Sequence, residues 1–545
     1  MRPLIQFYAR RSRRLSGGGA AVHDGPPSST TTNTPLRMKP HHASSALRLA
    51  FAACLSFFIL HSSFSIGRAA AIDIGSRLEM FMDDFIIGKT EGAVSQHLHK
   101  PVPREVVLVT NMPWEGSTCC YYTVFQADGL YHMYYRGATE VEVTKEFTCY
   151  AYSKDGIKWT RPSLGLIEYK GSKDNNIIHA GVAGHNFTPF HDTNPACPQN
   201  ERYKAMGGHT RTGGLYAFKA PNPIHWSMTR EKPVFPSNWE KLRSGGPQPW
   251  FDSQNIAFYD PLRKNYVLYF RHWRDGKYRD IMMRESPDLV TWTDTPRMLE
   301  YPGLTVPDPN AKETMISTIE EGGGVVGVYE HLYTNTILQY PRSPSFYIGF
   351  PARFLPRTSQ VEPLFMSSRD GVNFKRWPDA VIPLDAPEDR DGNRSNYIWL
   401  GLLDLPGDEK NYSVYAHEAY YQEGRPSRLR RFTWRKDGFV SMRATPEGGV
   451  VETKLLTFTG GKLVLNYKTK APHFKYAGGS VQVEILDEKG KPIPGFAKVS
   501  GKKMQGDSIE EEVTWDKAAV GALAGKPIRL RFHMVYADLY SFQFK

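Results

Sequence analysis

Three observations predict an all-β chain made of five repeated units and a C-terminal region of a different pattern. A phrase recurs at a nearly fixed interval: Ser153-Lys-Asp-Gly-Ile-Lys-Trp159, Ala220-Pro-Asn-Pro-Ile-His-Trp226, Ser286-Pro-Asp-Leu-Val-Thr-Trp292, Ser368-Arg-Asp-Gly-Val-Asn-Phe374 and the shorter Arg435-Lys-Asp-Gly-Phe439. Their closing aromatics stand 67, 66, 82 and 65 residues apart. Ahead of each phrase lies a run rich in aromatic and β-branched residues, bounded by Gly, Asn or Asp. Beyond Thr445 the phrase stops and period-2 alternation takes over. Units that repeat at a fixed period cannot each bury their own apolar face, so they stack on their neighbours. Five of them give a five-bladed β-propeller, here over residues 72–445, and the alternating region over 446–545 reads as a β-sandwich.

Residues 1–71 hold nine Lys/Arg and one Asp, so +8 of the net charge of +12 lies there and the rest of the chain is near +4. Residues 49–60 form an apolar run of 12. That is too short to span a bilayer and suits the core of a secretory signal, with Ala69-Ala70-Ala71 as the cleavage site. Met38 is the expected start, with Lys39 and Arg48 ahead of the run. The expectations are export, cleavage near Ala71 and no stable membrane insertion. A weak and dispersed charge gives no nucleic-acid footprint. The one basic run, Arg425-Pro-Ser-Arg-Leu-Arg-Arg431, lies in a strand-like context and reads as a solvated face. After cleavage four cysteines remain, Cys119, Cys120, Cys149 and Cys197. Export allows one bridge within the first unit, between Cys149 and the Cys119-Cys120 pair, although no pairing follows from spacing. The spacing does not suit zinc, and no cofactor is expected.

Within each unit the run before the phrase is a strand: residues 129–136, 202–206, 265–271, 345–350 and 411–416. Upstream comes another, over residues 117–125, 184–190, 252–259, 331–338 and 395–402. This set is polar and chemically varied. The first strand of each propeller blade lines the axis, so these residues converge on one pocket. Residues 305–328, rich in Pro, Gly and Glu, account for the extra length of the fourth unit as an inserted loop. Residues 77–87 are expected to supply the strand that closes the ring.

Several segments carry a family resemblance: Met80-Phe-Met-Asp-Asp-Phe85, Trp114-Glu-Gly116, His185-Asn-Phe-Thr-Pro-Phe-His-Asp192, Phe251-Asp-Ser-Gln-Asn255, Glu330-His-Leu-Tyr-Thr-Asn335 and Arg435-Lys-Asp-Gly-Phe439. With the signal and the C-terminal region, they resemble the five-bladed glycoside hydrolases of family 32 and its relatives 43, 68 and 117. They are more similar still to uncharacterised secreted proteins of planctomycete type with a family 32-like N-terminal region. The resemblance implies a glycosidase fold. The nucleophile, stabiliser and acid motifs of family 32 itself are not present as such, since Met82-Asp83-Asp84 lacks the flanking Asn and Pro-Asn-Gly, Arg279-Asp280 lacks the Pro and no Glu-Cys occurs.

Cleaving a glycosidic bond takes two carboxyl groups across the bond, one protonated and one ionised. The acidic residues at the starts of first strands are Glu115, Asp252 and Glu330, the catalytic candidates. Asp252-Ser-Gln-Asn255 concentrates a carboxylate, a hydroxyl and two amides ahead of an apolar strand, at a cost unless each is satisfied. Asp252 either acts on substrate or caps its own strand. Glu115 beside Trp114 suits a sugar platform or an ordinary turn; Glu330, near His331, Tyr333 and Asn335, is a site group or an edge charge. His185, Asn186, Gln254, Asn255, Arg279, Asp280, Arg394 and Asn396 complete the set of substrate contacts. Asn186-Phe-Thr188 also fits a glycosylation sequon. Asp83 and Asp84 are adjacent and point to opposite faces of a strand, a poor metal cage. The Asp of each repeated phrase, at 155, 288 and 370, recurs with the units and is assigned to a turn. The function expected is a secreted glycosidase acting on terminal sugars of plant or algal glycans. The alternatives are a non-catalytic carbohydrate-binding propeller and a phosphorylase on the same fold.

Overall fold

The computed structural model describes residues 70–138, 145–238, 240, 251–274, 278–304, 330–355, 360–385, 396–420, 425–473 and 477–545. The leader, the 305–328 insertion and Arg394 lie outside them. All the described residues belong to one unit, Ala69–Lys545.

Five antiparallel sheets form a five-bladed propeller. Blade 1 is Cys120–Ala127, Leu130–Gly137, Phe147–Ser153 and Ile177–Ala180. Blade 2 is Thr188–His191, Tyr203–His209, Gly214–Ala220 and Ser227–Met228, and blade 3 is Ile256–Asp260, Asn265–Arg274, Tyr278–Ser286 and Arg297–Met298. Blade 4 is Ile337–Gln339, Tyr347–Gly349, Met366–Ser368 and Phe374–Arg376, with a hairpin, Ala352–Leu355 and Gln360–Pro363, between its second and third strands. Blade 5 is Asn411–Glu418 and Arg428–Arg435, with Ile398 and Leu403 bridged to the axial side and Val102–Val109 on the outer edge.

The repeated phrase closes the third strand of each blade. Asp155 Oδ1 accepts from the Ile157 and Lys158 N–H groups, Asp288 Oδ1 from Val290 and Thr291, and Asp370 Oδ1 from Val372 and Asn373. These are Asx turns, and the indole N–H of Trp159, Trp226 and Trp292 donates back to the carbonyl three residues earlier. Gly156 has φ +71°, a conformation that favours glycine, and a Cβ there would displace the Leu405 Cδ2 methyl, 2.4 Å away.

Two expectations change. The ring is closed by Val102–Val109 against Arg428–Arg435, not by residues 77–87. That earlier segment divides its side chains between two cores: Leu78, Met80 and Met82 pack with Tyr340, Phe346 and Phe439, while Phe81 and Ile86 join the C-terminal core. The strands Ile72–Gly75, Glu79–Met80 and Ile87–Leu98 therefore pair with the C-terminal region, at Leu456–Phe458, Ala537–Phe544 and Val440–Thr453 respectively. In that region an eight-stranded sheet runs around one apolar core. Val440–Thr453 pairs with Ala537–Phe544 through its first half and with Arg529–Val535 through its second, the change falling at an irregularity between Ala444 and Gly449. The strand thereby turns from one half of the sheet to the other.

The bridge that export would allow within the first unit is not formed: Cys119, Cys120, Cys149 and Cys197 are all free and buried. No helix among the described residues is long and apolar enough to cross a membrane.

Candidate functional site

The regular first strands begin later than the sequence indicates, at Cys120, Thr188, Ile256 and Ile337 rather than 117, 184, 252 and 331. The polar residues ahead of them lie in irregular lead-in segments, and most tie one blade to the next. Asn186 Nδ2 donates to the carbonyls of Phe251 and, at 3.0 Å, Ser253, while its Oδ1 accepts the Gly208 N–H at 2.9 Å. Gln254 Nε2 donates to the Tyr122 carbonyl at 2.7 Å. Asn335 Nδ2 reaches the carbonyls of Gln254 and Tyr269, and Thr336 Oγ1 donates to Ile398. The Val124 N–H donates to Leu400, joining blades 1 and 5. All five lead-ins are thus joined around the axis. Asn255 Nδ2 is held by Phe251 and Ser253, and Asn396 Nδ2 by Ile382 and Pro383. These amides, expected to contact substrate, hold backbone instead, because a buried amide left unpaired is costly. Asn186 is fully buried and is no glycosylation acceptor as folded.

Asp252 stands at the centre of what remains. Its Oδ1 accepts from the Tyr121 hydroxyl at 3.0 Å and His185 Nε2 at 2.9 Å, and Oδ2 faces Arg271 Nη2 at 3.2 Å. Its side chain keeps 28% exposure whereas Arg271 keeps 2%. Burial opposes the charge, but Arg271 and then His185 outweigh it and hold the carboxyl well below the usual range. His185 is buried, and its Nδ1 lies 2.5 Å from Glu146 Oε2. Burial alone would lower its pKa; Glu146 and Asp252 on either side raise it, so the ring is an imidazolium donating to a carboxylate from each nitrogen. Arg136 Nη1 also approaches Nδ1, at 3.2 Å, where two donors meet; the shorter Glu146 contact takes the imidazole proton. Arg136 is itself 3.5 Å from Glu146 Oε1 and donates to the Thr118 carbonyl at 2.8 Å.

His209 meets His185 edge-on, with ring centroids 4.8 Å apart and planes inclined at 70°. Its Nδ1 accepts the Arg211 backbone N–H at 2.9 Å. Burial lowers its pKa to about 3, so the ring is neutral. Tyr121 has φ +56°, a strained conformation for an aromatic residue, at the irregularity between Cys120 and Thr123. The bulge turns its hydroxyl onto Asp252. Tyr333 lies under the guanidinium groups of Arg271 and Arg279, each 4.9 Å from its ring centre. Tyr397 stacks on Trp399 at 5.1 Å, and Trp399 meets Tyr121 edge-on at 5.6 Å. Residues from every blade therefore frame this aromatic-walled cluster.

Two of the three catalytic candidates do not belong to it. Glu115 is buried, accepting from Tyr135 at 2.5 Å, Arg161 at 2.8 Å and the Met112 N–H at 3.1 Å; burial raises its pKa. Glu330 is buried in ion pairs with Arg353 and Arg376. Asp280 accepts from Tyr301 at 2.6 Å and pairs with Arg274, inside blade 3. The Trp114 indole donates to Asn176 at 2.7 Å. Asp83 and Asp84 pair with Arg369 and Lys375. Sequence reasoning missed Glu146, His209, Arg271, Arg136 and Tyr121. A signal existed: the second strands of blades 1 and 3 carry a charged residue, Arg136 and Arg271, directly after two aromatics. A cation closing an aromatic strand needs an anion nearby.

No family model and no curated protein matches this chain. Among solved structures it is similar to an N-acetylgalactosamine deacetylase from F. plautii, at 12% identity, covering 63% of this chain and 96% of that one, with a TM-score of 0.41. An endo-arabinase from Bacteroides thetaiotaomicron gives 13% identity, 62% and 99% coverage and a TM-score of 0.38. An α-L-arabinofuranosidase from Podospora anserina gives 10%, 62%, 96% and 0.40. Such values assign no reaction to this chain.

Proposed function

We propose that this protein is an exported glycoside hydrolase that removes terminal sugars from plant or algal glycans at the propeller axis. The observation that carries the reading is the contact between an ionised carboxylate and an imidazolium, Asp252 and His185, among aromatic rings. Glycoside hydrolysis needs a proton delivered to the leaving oxygen and an anion to meet the positive charge that develops on the sugar. Asp252, with its depressed pKa, is a weak base and is suited to attack or to charge stabilisation. His185, whose Nε2–H is bonded to Asp252 Oδ1, orients that carboxylate and keeps it ionised. The segments resembling five-bladed glycoside hydrolases support the reading, and the apolar run at 49–60 supports export.

One observation favours a second reading. Glu115 and Glu330 are consumed by buried partners, so among these candidates Asp252 alone stays open. A carbohydrate-binding pocket without turnover needs no second acid. Release of reducing sugar from a panel of plant and algal oligosaccharides, with protein beginning at Ile72, separates the two. Hydrolysis by the parent that falls about 100-fold or more in Asp252→Asn and His185→Gln, with binding retained, is the expected result. Binding without turnover across the panel would move the assignment to the second reading.

A further inference from the structure

Asp252, His185 and His209 offer donor atoms that all lie within 4.8 Å of one another. In residue type this is a two-histidine, one-carboxylate cation site. The hydrogen bonds around it remove the lone pairs such a site requires. Nδ1 of His209 accepts the Arg211 N–H, and a neutral ring with Nδ1 as acceptor carries its proton on Nε2. Neither nitrogen then has an electron pair to give. His185 meets a carboxylate oxygen at each nitrogen, so both of its nitrogens are donors as well. Asp252 Oδ1 accepts two bonds and Oδ2 faces Arg271, which leaves one of the roughly four acceptor positions of a carboxylate.

What the cluster presents is one acceptor beside one neutral N–H donor. A carboxylate or phosphate ligand would meet the charge of Asp252, and an ammonium group would meet the N–H of His209. A hydroxyl satisfies both. The geometry points to Asp252 and His209 as a clamp for one hydroxyl of a neutral sugar, which donates to Asp252 Oδ2 and accepts from His209 Nε2–H. The Arg211 backbone N–H makes the choice between hydroxyl and cation by fixing the tautomer. This inference rests on the carbohydrate reading of the pocket.

The test uses the full-length protein labelled with 15N-histidine. The His209 signals, assigned by their loss in His209→Ala, are expected to show a protonated Nε2 and an unprotonated Nδ1. After EDTA treatment, calorimetric titration with zinc, manganese or calcium chloride is expected to show no uptake that depends on His209. Galactose, arabinose, xylose and glucose are then added in turn. At least one is expected to shift the Nε2–H signal, with affinity falling about tenfold in His209→Ala and recovering in His209→Gln, whose amide also donates. A protonated Nδ1, or one cation per chain bound by the parent and lost in His209→Ala, overturns the clamp. If no cation binds and no sugar shifts the signal, the carbohydrate reading falls and the clamp with it, an outcome distinct from cation uptake.

Discussion

At the scale of single residues, the position of Asp252 depends on side chains that bond only backbone. Asn186 binds three backbone groups and so fixes the lead-in that carries Asp252 to blade 2. Asn186→Ala takes the acceptor from the Gly208 N–H, while the Phe251 and Ser253 carbonyls keep Asn255 Nδ2, and is expected to cost about 1–3 kcal/mol in urea unfolding. Gly156→Ala combines a positive φ with a 2.4 Å approach to Leu405, and a loss of roughly 2 kcal/mol or more in the same assay is expected. Asp252 could be singled out in the sequence because it heads a polar cluster before an apolar strand. Glu330 and Glu115 share that position, and only the three-dimensional arrangement shows that Arg353, Arg376 and Arg161 claim them. Glu146 and His209 carry no local pattern at all. Their importance comes from a contact made across 39 residues and an imidazole packed against another, neither of which periodicity can reveal.

At the scale of elements, the closing strand Val102–Val109 joins the last blade from the opposite end of the propeller segment. Leu108, 5% exposed, packs into the core shared by blades 1 and 5. Leu108→Ala is expected to destabilise the fold by about 2–5 kcal/mol in denaturant unfolding. A loss below 1 kcal/mol would mean that the strand contributes little to closure. In the C-terminal sheet, burial opposes the charge of Asp538, but bonds from Arg443 and Ser441 depress its pKa. A carboxyl whose folded pKa lies below its unfolded value of about 3.9 stabilises the fold fully above that pH and loses the contribution as pH falls through the folded value. Urea unfolding followed down from pH 5 should therefore lose stability more shallowly in Asp538→Asn than in the parent. The turns of the repeated phrase were legible because Asp and Gly act within three or four residues. The closing strand was not, because every strand of suitable alternation competes for the same edge.

For the whole molecule, the segment before Val102 couples the propeller to the C-terminal sheet. Leu78, Met80 and Met82 enter one core and Phe81 the other. Asp437, at the end of the last repeated phrase, is fully buried and accepts from Tyr340 on the propeller side and from Asn466 and Ser541 on the other. With cores shared this way, thermal unfolding is expected as one calorimetric transition, and Phe81→Ala should lower the whole of it. Two resolved transitions, only one of them moved by Phe81→Ala, would show the parts to be independent. The sequence by itself determined the number of blades, the all-β class and the turn at each phrase, since these depend on period and on contacts between near neighbours. The tertiary structure alone decided which strand closes the ring, that residues 72–98 belong with the C-terminal sheet, and which carboxylate stays open at the axis. Those outcomes follow from competition among distant partners for buried hydrogen bonds and charge, which the order of residues along a chain does not rank.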